Sequence, residues 1–293
     1  MKTALQLLSA LSLLLVTGCT EVGTRLANFP TRFDGISVHH NVVYDSVNTQ
    51  KMDIYLPPDT STTKHGVVVF FYGGRWTSGS KADYAFVGSA FAKAGYVVVI
   101  PDHRKYPAVR FPSFVQDAGK AVAWVDSNIE MYGGDAARIF VAGHSSGAHL
   151  GALIAADARY LETEGKQQST IKAFAGMAGP YDFIPEEADL MDMFGPPEQY
   201  AQMQVPTFID GQQPPMLLMW GDKDKAVGRF NLDQLKKAID EKGGYVQTRI
   251  YPDVDHVWLV GSLSWLGKNK APALKDMTAF FESTTKRSVH QKD

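Results

Sequence analysis

Ser145, Asp224 and His256 are the side chains whose types and order suit nucleophilic chemistry. Ser145 lies in Gly143-His144-Ser145-Ser146-Gly147, behind the apolar run Ile139-Phe140-Val141-Ala142 and ahead of a small-residue stretch over 148–158. Gly-x-Ser-x-Gly in that context reads as strand, sharp turn and helix, with the serine at the tip of the turn. The glycines answer a steric demand, because strand and helix pass close together and the serine backbone is strained. An ordinary glycine–serine turn shares the five residues, but the flanking strand and helix favour a nucleophile. A serine hydroxyl is a weak nucleophile. It needs a base within hydrogen-bond reach, and the base needs a carboxylate to fix its tautomer and stabilise the imidazolium.

Eight histidines compete for the role of base. His39 and His40 fall on an early strand, and His65 and His290 in a loop and the tail. His144, inside the elbow, is expected to point away from its neighbour, and His103 and His149 read as buried, hydrogen-bonded residues near the site. Only His256 follows the last expected strand. For the acid, Asp224 is preferred, in Gly221-x-x-Asp224 just past the run Pro215–Trp220; Asp222 is the next candidate, and Asp182 reads as a turn residue. The oxyanion that forms on attack needs two or three preorganised N–H donors. One is expected from Ser146 and the others from the loop Tyr72-Gly73-Gly74-Arg75-Trp76. No histidine–carboxylate spacing of the His-Glu-x-x-His kind is present, so neither metal nor cofactor is expected.

These residues must be positioned by strands ending at one edge. Residues 37–44 and 51–56 read as an antiparallel opening pair, the second alternating polar with apolar and stopping at Pro57-Pro58. Continuous apolar runs follow at 66–71, 96–100, 139–142 and 215–220, as expected of strands buried on both faces, and 171–179 reads as a further strand and turn. Helical stretches separate them at 83–94, 114–128 and from 148, with further helices at 231–242 and 272–283 around a last strand at 245–251. The fold class is therefore α/β, a mostly parallel central sheet with helices on both faces. Ligands of such sheets bind at the carboxyl ends of the strands. The loops holding Gly74, Ser145, Asp224 and His256 all lie there. Residues 180–214, with six prolines, break the alternation and read as a short lid-like insertion over the strand ends.

With 45% apolar and 20% charged residues the 293-residue chain has globular composition, and a net charge of −2 gives nucleic-acid binding no support. Lys2 followed by the apolar stretch Ala4–Val16 reads as a secretory signal, too short to be taken first as a membrane span. It ends in Val16-Thr17-Gly18-Cys19, similar to the lipobox of bacterial lipoproteins, and Cys19 is the only cysteine. A plain signal cut nearby is the alternative. The expected division is 1–18 signal peptide, 19–34 lipidated tether, 35–285 catalytic domain and 286–293 loose tail. The protein would then be anchored to a membrane through acyl chains on Cys19, without spanning it. Thr20 in place of Asp, by resemblance to Gram-negative lipoproteins, favours the outer membrane of the bacterial cell envelope.

Taken together, Met52–Pro57, Tyr72–Trp76, Pro101–Pro107, the Ser145 elbow, Gly221-x-x-Asp224 and Asp255-His256 resemble one family. The chain is similar to α/β-hydrolases of the esterase/lipase kind, close to the hormone-sensitive-lipase-like and feruloyl-esterase-like carboxylesterases, from about residue 51 to 281. The resemblance implies the α/β-hydrolase fold and the order serine, aspartate, histidine for the triad. It also implies an oxyanion hole from the amides of Gly74, Arg75 and Ser146 and a small-molecule ester as substrate. Two departures stand out. The family usually has His-Gly-Gly-Gly where this chain has Tyr72-Gly73-Gly74-Arg75, and often Gly where it has Asp255. The Arg75 side chain could meet an acidic part of a substrate or pair with a carboxylate. The expected activity is hydrolysis of carboxylic esters, with short acyl chains favoured by the short insertion. Amide cleavage or acyl transfer by the same triad, or ligand binding on an inactive hydrolase fold, are the rival readings.

Overall fold

The computed structural model describes residues 23–59 and 64–290, with side chains described to 286. The expected signal and Cys19 lie outside the described residues.

The apolar runs form strands. β1 (Ser37–Asp45), β2 (Gln50–Leu56), β3 (His65–Phe71), β4 (Val97–Pro101), β5 (Gly134–His144), β6 (Ile171–Met177), β7 (Met216–Gly221) and β8 (Val246–Tyr251) make one sheet in the order β1-β2-β4-β3-β5-β6-β7-β8. β1 and β2 pair antiparallel, as does β2 with β4, and the pairs from β4 through β3 to β8 are parallel. This is the α/β-hydrolase fold.

Strand periodicity decides which side of the sheet each residue fills. Val67, Val69 and Phe71 of β3 enter one core layer, covered by α2 (Ser113–Asn128), α3 (Ser146–Ala156) and α6 (Phe230–Glu241). Val68, Phe70 and Tyr72 enter the other, under α1 (Ala85–Lys93) and α8 (Ala273–His290), where Phe281 stacks on Phe140 with centroids 4.5 Å apart. Of the remaining short helices, α4 is Arg159–Glu162, α5 is Ala188–Phe194 and α7 is His256–Gly261.

Register brings the special loops together. Phe71 lies opposite Gly143, Gly143 opposite Gly176, and Gly221 opposite Tyr251. The strands thus end level, and the loops after β3, β5, β7 and β8 leave from one edge. The 180–214 insertion holds α5 and two 3₁₀ turns, and buries Met193, Phe194, Met203 and Val205 in the first core layer.

Two boundaries differ from expectation. His256 is not in an open loop but is the first residue of α7, because Asp255 caps that helix with its carboxylate accepting from the Trp258 amide at 2.8 Å. Asp255 thus has a structural role as the helix cap. The closing helix runs to His290, past both the expected helix end at Ser283 and the expected start of a loose tail at residue 286. Within it the hydroxyls of Thr284 and Thr285 donate back to the Phe281 carbonyl (2.8 and 3.0 Å).

Candidate active site

The elbow follows from its glycines. A Cβ on Gly143 would come within 2.5 Å of the Gly147 carbonyl oxygen, and one on Gly147 would run into the backbone of Phe71 and Tyr72. Between them Ser145 adopts φ 55° and ψ −127°, a conformation that costs a non-glycine residue about 1–3 kcal/mol. Its amide donates to the Met177 carbonyl (2.9 Å), and its carbonyl receives the amides of Ala148 and His149. The strained residue is thus held on both sides by β6 and α3.

His256 meets that serine. The Ser145 hydroxyl faces His256 Nε2 at 2.9 Å, and His256 Nδ1 faces Asp224 Oδ2 at 2.8 Å. The other Asp224 oxygen accepts from the amides of Ala226 (2.8 Å) and Val227 (2.9 Å). Burial pushes the Asp224 carboxyl up, but its bonds from His256 and the two amides outweigh that and hold it below the ordinary value. The runner-up acids have other partners. Asp222 accepts from the Asp253 amide at 2.7 Å and pins the β7 and β8 loops together. Asp182 is fixed through its backbone amide, which donates to Asn231 Oδ1 at 2.9 Å, and among the described residues it is Asp224, not the Asp182 carboxylate, that bonds His256.

The loop after β3 runs beside the serine. The β3 loop passes so close that a Cβ on Gly73 would sit 3.0 Å from the Ser145 Cβ. Among the described residues, no protein acceptor is bonded to the amides of Gly74, Arg75 or Ser146. Arg75 and Trp76 both have positive φ, 53° and 58°. Two anchors hold them. Trp76 is buried, stacked on Phe183 (5.6 Å between centroids) and edge-on to Phe194 (4.9 Å). The Arg75 guanidinium pairs with Glu187 and Asp189. All four partners belong to the insertion.

The structure gives several neighbouring residues contacts that the sequence did not show. His144 does not turn away from the site. Its Nε2–H donates to the His256 carbonyl (2.9 Å), and the two rings lie 4.7 Å apart. Burial and the neighbouring His256 push its pKa down to about 3, so it stays neutral and serves as a prop for His256. Tyr72, in the place of the usual histidine, is stacked between Tyr84 and His103 and donates to Asp102 at 2.8 Å, tying the loop's first residue to the end of β4. His103 is buried as expected, but its Nδ1 has no hydrogen-bond partner among the described residues. His149 Nε2–H donates to the Met203 carbonyl at 2.7 Å, joining α3 to the insertion. Glu187 and Asp189 carry no signal in sequence, because nothing in their neighbourhood marks them as partners of an arginine far upstream.

A cleft of about 920 Å³ opens over Ser145 and His256, with Phe183, Leu190, Val227 and Phe230 among its walls. A volume in this range suits a small molecule.

A family model, BD-FAE, matches residues 52–239, well over half of the chain. The chain belongs to the BD-FAE family. The match runs from β2 to within α6, so it contains the elbow, the β3 loop and Asp224, and ends before His256. Among similar proteins, the BD-FAE chain is 32% identical over 277 residues to the isoprenylcysteine alpha-carbonyl methylesterase ICME of Arabidopsis thaliana, covering 87% of this chain and 63% of that relative. It is 32% identical over 186 residues to the probable isoprenylcysteine alpha-carbonyl methylesterase ICMEL2 of the same plant, covering 62% and 42%. The chain thus spans less than two thirds of the curated relatives it matches. Of solved structures, a truncated carbohydrate esterase from gut microbiota superposes with a TM-score of 0.73 at 25% identity, covering 87% of this chain and 98% of that one.

Proposed function

We propose that this BD-FAE chain is a serine carboxylesterase that hydrolyses esters of short acyl chains. The observation that carries the reading is the line from Ser145 Oγ through His256 to Asp224, with both links under 3 Å, at the floor of the cleft. In this reading Ser145 Oγ attacks the ester carbonyl while His256 Nε2 takes its proton. The oxyanion is held by the amides of Gly74, Arg75 and Ser146. His256 then protonates the leaving alkoxide oxygen, and the acyl group stays on Ser145. Water, deprotonated by His256, attacks the acyl-enzyme and frees the acid and the serine. The esterase names of the relatives agree with the reaction class.

The test is hydrolysis of p-nitrophenyl esters of increasing acyl length. We expect kcat/KM to fall at least about tenfold from the two- or four-carbon ester to the twelve-carbon one, since the insertion is short and sets Phe183 and Leu190 in the cleft wall. Equal or rising rates on long chains would overturn the short-chain part. No turnover of any ester would overturn the esterase reading.

The same reading gives the Arg75 clasp a catalytic consequence. If Glu187 and Asp189 hold the strained loop that carries two oxyanion donors, the Glu187→Gln, Asp189→Asn double variant should lower kcat about tenfold and leave KM nearly unchanged. An unchanged kcat, or a rise in KM alone, would show that the pair serves only substrate binding or nothing measurable. Steady-state kinetics on a short-chain ester reads the difference.

We also propose, on the motif at residues 16–19, that Cys19 is acylated and holds the enzyme at the bacterial cell envelope, with the outer membrane favoured.

A further inference from the structure

Two chain segments outside the hydrolytic machinery, residues 24–33 and 257–270, form one exposed face. Trp265 Nε1–H donates to the Leu26 carbonyl at 3.0 Å, and Pro30, Thr31, Leu263 and Trp265 line a shared hollow. Large apolar side chains stand out to solvent there: Phe33 is 77% exposed, Val257 59%, Phe29 56%, Trp265 52% and Leu26 51%. The segments also carry Arg25, Arg32, Lys268 and Lys270, all exposed, and contain no Asp or Glu, in a chain of net charge −2. Among the described residues none of these four cations is in an ion pair, and Lys270 lies over the Trp258 ring at 5.5 Å. Of the acids next to these segments among the described residues, Asp34 pairs with Lys93 and Asp255 caps α7.

We propose that this face docks on a membrane surface rich in anionic phospholipid. An exposed cluster of this kind marks an interaction surface. Tryptophan and phenylalanine fringed by lysine and arginine suit the boundary between headgroups and acyl chains, where rings sit at the interface and the cations reach anionic headgroups. The charge is complementary, four cations without a counter-charge. The position in the chain agrees. In the sequence, residues 24–33 follow closely on the apolar stretch Ala4–Val16 and Cys19. Four residues lie between Cys19 and Thr24, and the five steps of about 3.3–3.6 Å each span at most roughly 18 Å. A chain held to lipid at Cys19 therefore keeps Thr24 near the headgroups. The face would lie on the bilayer without crossing it, since none of the described helices is long and apolar enough to span.

Docking would set the cleft at the headgroup layer. Thr24 and Arg25 line the same cleft as His256, and Val257 and Trp258 follow His256 directly. The inference stands apart from the esterase reading, because the face would dock whether or not Ser145 reacts.

The test uses the full chain on vesicles of phosphatidylcholine with about one third phosphatidylglycerol, part of the lipid brominated in its acyl chains. Bromine quenches tryptophan only at close range. We expect clear quenching, reduced at least about threefold in the Trp258→Phe, Trp265→Phe double variant, because the other three tryptophans, Trp76, Trp124 and Trp220, lie outside this face. Lys268→Glu with Lys270→Glu should weaken quenching and, at about fivefold per charge removed, vesicle affinity. Protein that sediments with vesicles but is not quenched, or is quenched equally in the double variant, would overturn the proposal. So would a dimer in sedimentation velocity that the tryptophan variant dissolves, since a second copy would then own the face. If the chain fails to sediment with pure phosphatidylcholine, the Cys19 anchor reading fails, and charge-dependent binding to the anionic vesicles still supports or sinks the docking face.

Discussion

Ser145→Ala should lower kcat on a p-nitrophenyl ester by about 10⁴–10⁶-fold, with KM little changed. The oxygen that attacks is removed, and no neighbouring hydroxyl takes its place on His256 Nε2. The remaining rate should come from the oxyanion donors acting on water. The fold should survive, because the elbow is pinned by backbone bonds that alanine keeps: the residue 145 amide to Met177 and its carbonyl to Ala148 and His149. A melting temperature within a few degrees of the parent checks this. Labelling by a fluorophosphonate should vanish with the hydroxyl. His256→Ala should cost a similar factor, and the double variant little more, since two members of one proton-transfer unit are not additive. A Ser145→Ala enzyme within a hundredfold of the parent would assign the chemistry to another residue. An unlabelled but folded parent would favour the binding-module reading.

The sequence announced this site unevenly, for reasons that lie in the range of the interactions. Strands buried on both faces are written as unbroken apolar runs, so β3, β4, β5 and β7 were legible, and strand ends followed from the Gly, Pro and Asp residues that stop them. The elbow was legible because its demand is local: Gly143 and Gly147 are required by each other and by the end of β3. Asp224 was preferred in sequence but Asp222 stayed a candidate, because the two residues share one turn. In the structure it is the Asp224 carboxylate that faces His256, at 2.8 Å, while its other oxygen accepts from the amides of Ala226 and Val227. What stayed hidden depends on chain segments meeting in space. Arg75 and Asp189 are 114 positions apart, and His144 and the His256 carbonyl 112. No local pattern encodes such pairs. The short helix α7 was missed because one capping aspartate, Asp255, starts it and Gly261 ends it within two turns.

Asp224→Asn should be nearly as damaging as loss of the serine, about 10⁴-fold in kcat, through the tautomer of His256. One carboxylate oxygen of Asp224 is held by two amide donors, so an asparagine there must turn its carbonyl oxygen toward Ala226 and Val227. Its NH₂ then points at His256 Nδ1, which can only accept. The imidazole proton moves to Nε2 and confronts the Ser145 hydroxyl, leaving no lone pair to take the serine proton. KM should hold, and Asp222→Asn, which leaves His256 untouched, should retain activity within about threefold. The two variants together separate the orienting acid from its neighbour. Stability supplies a second reading. The Asp224 carboxyl is buried, which raises its pKa, but the bonds from His256 and the amides bring it below the ordinary 3.8. A depressed carboxylate stabilises the fold above its unfolded pKa and loses that contribution as pH falls toward the folded value. The gap in melting temperature between parent and Asp224→Asn should therefore be widest near neutral pH and narrow below about pH 4. A gap that widens with acid would mean that Asp224 is held in its protonated form and cannot orient His256.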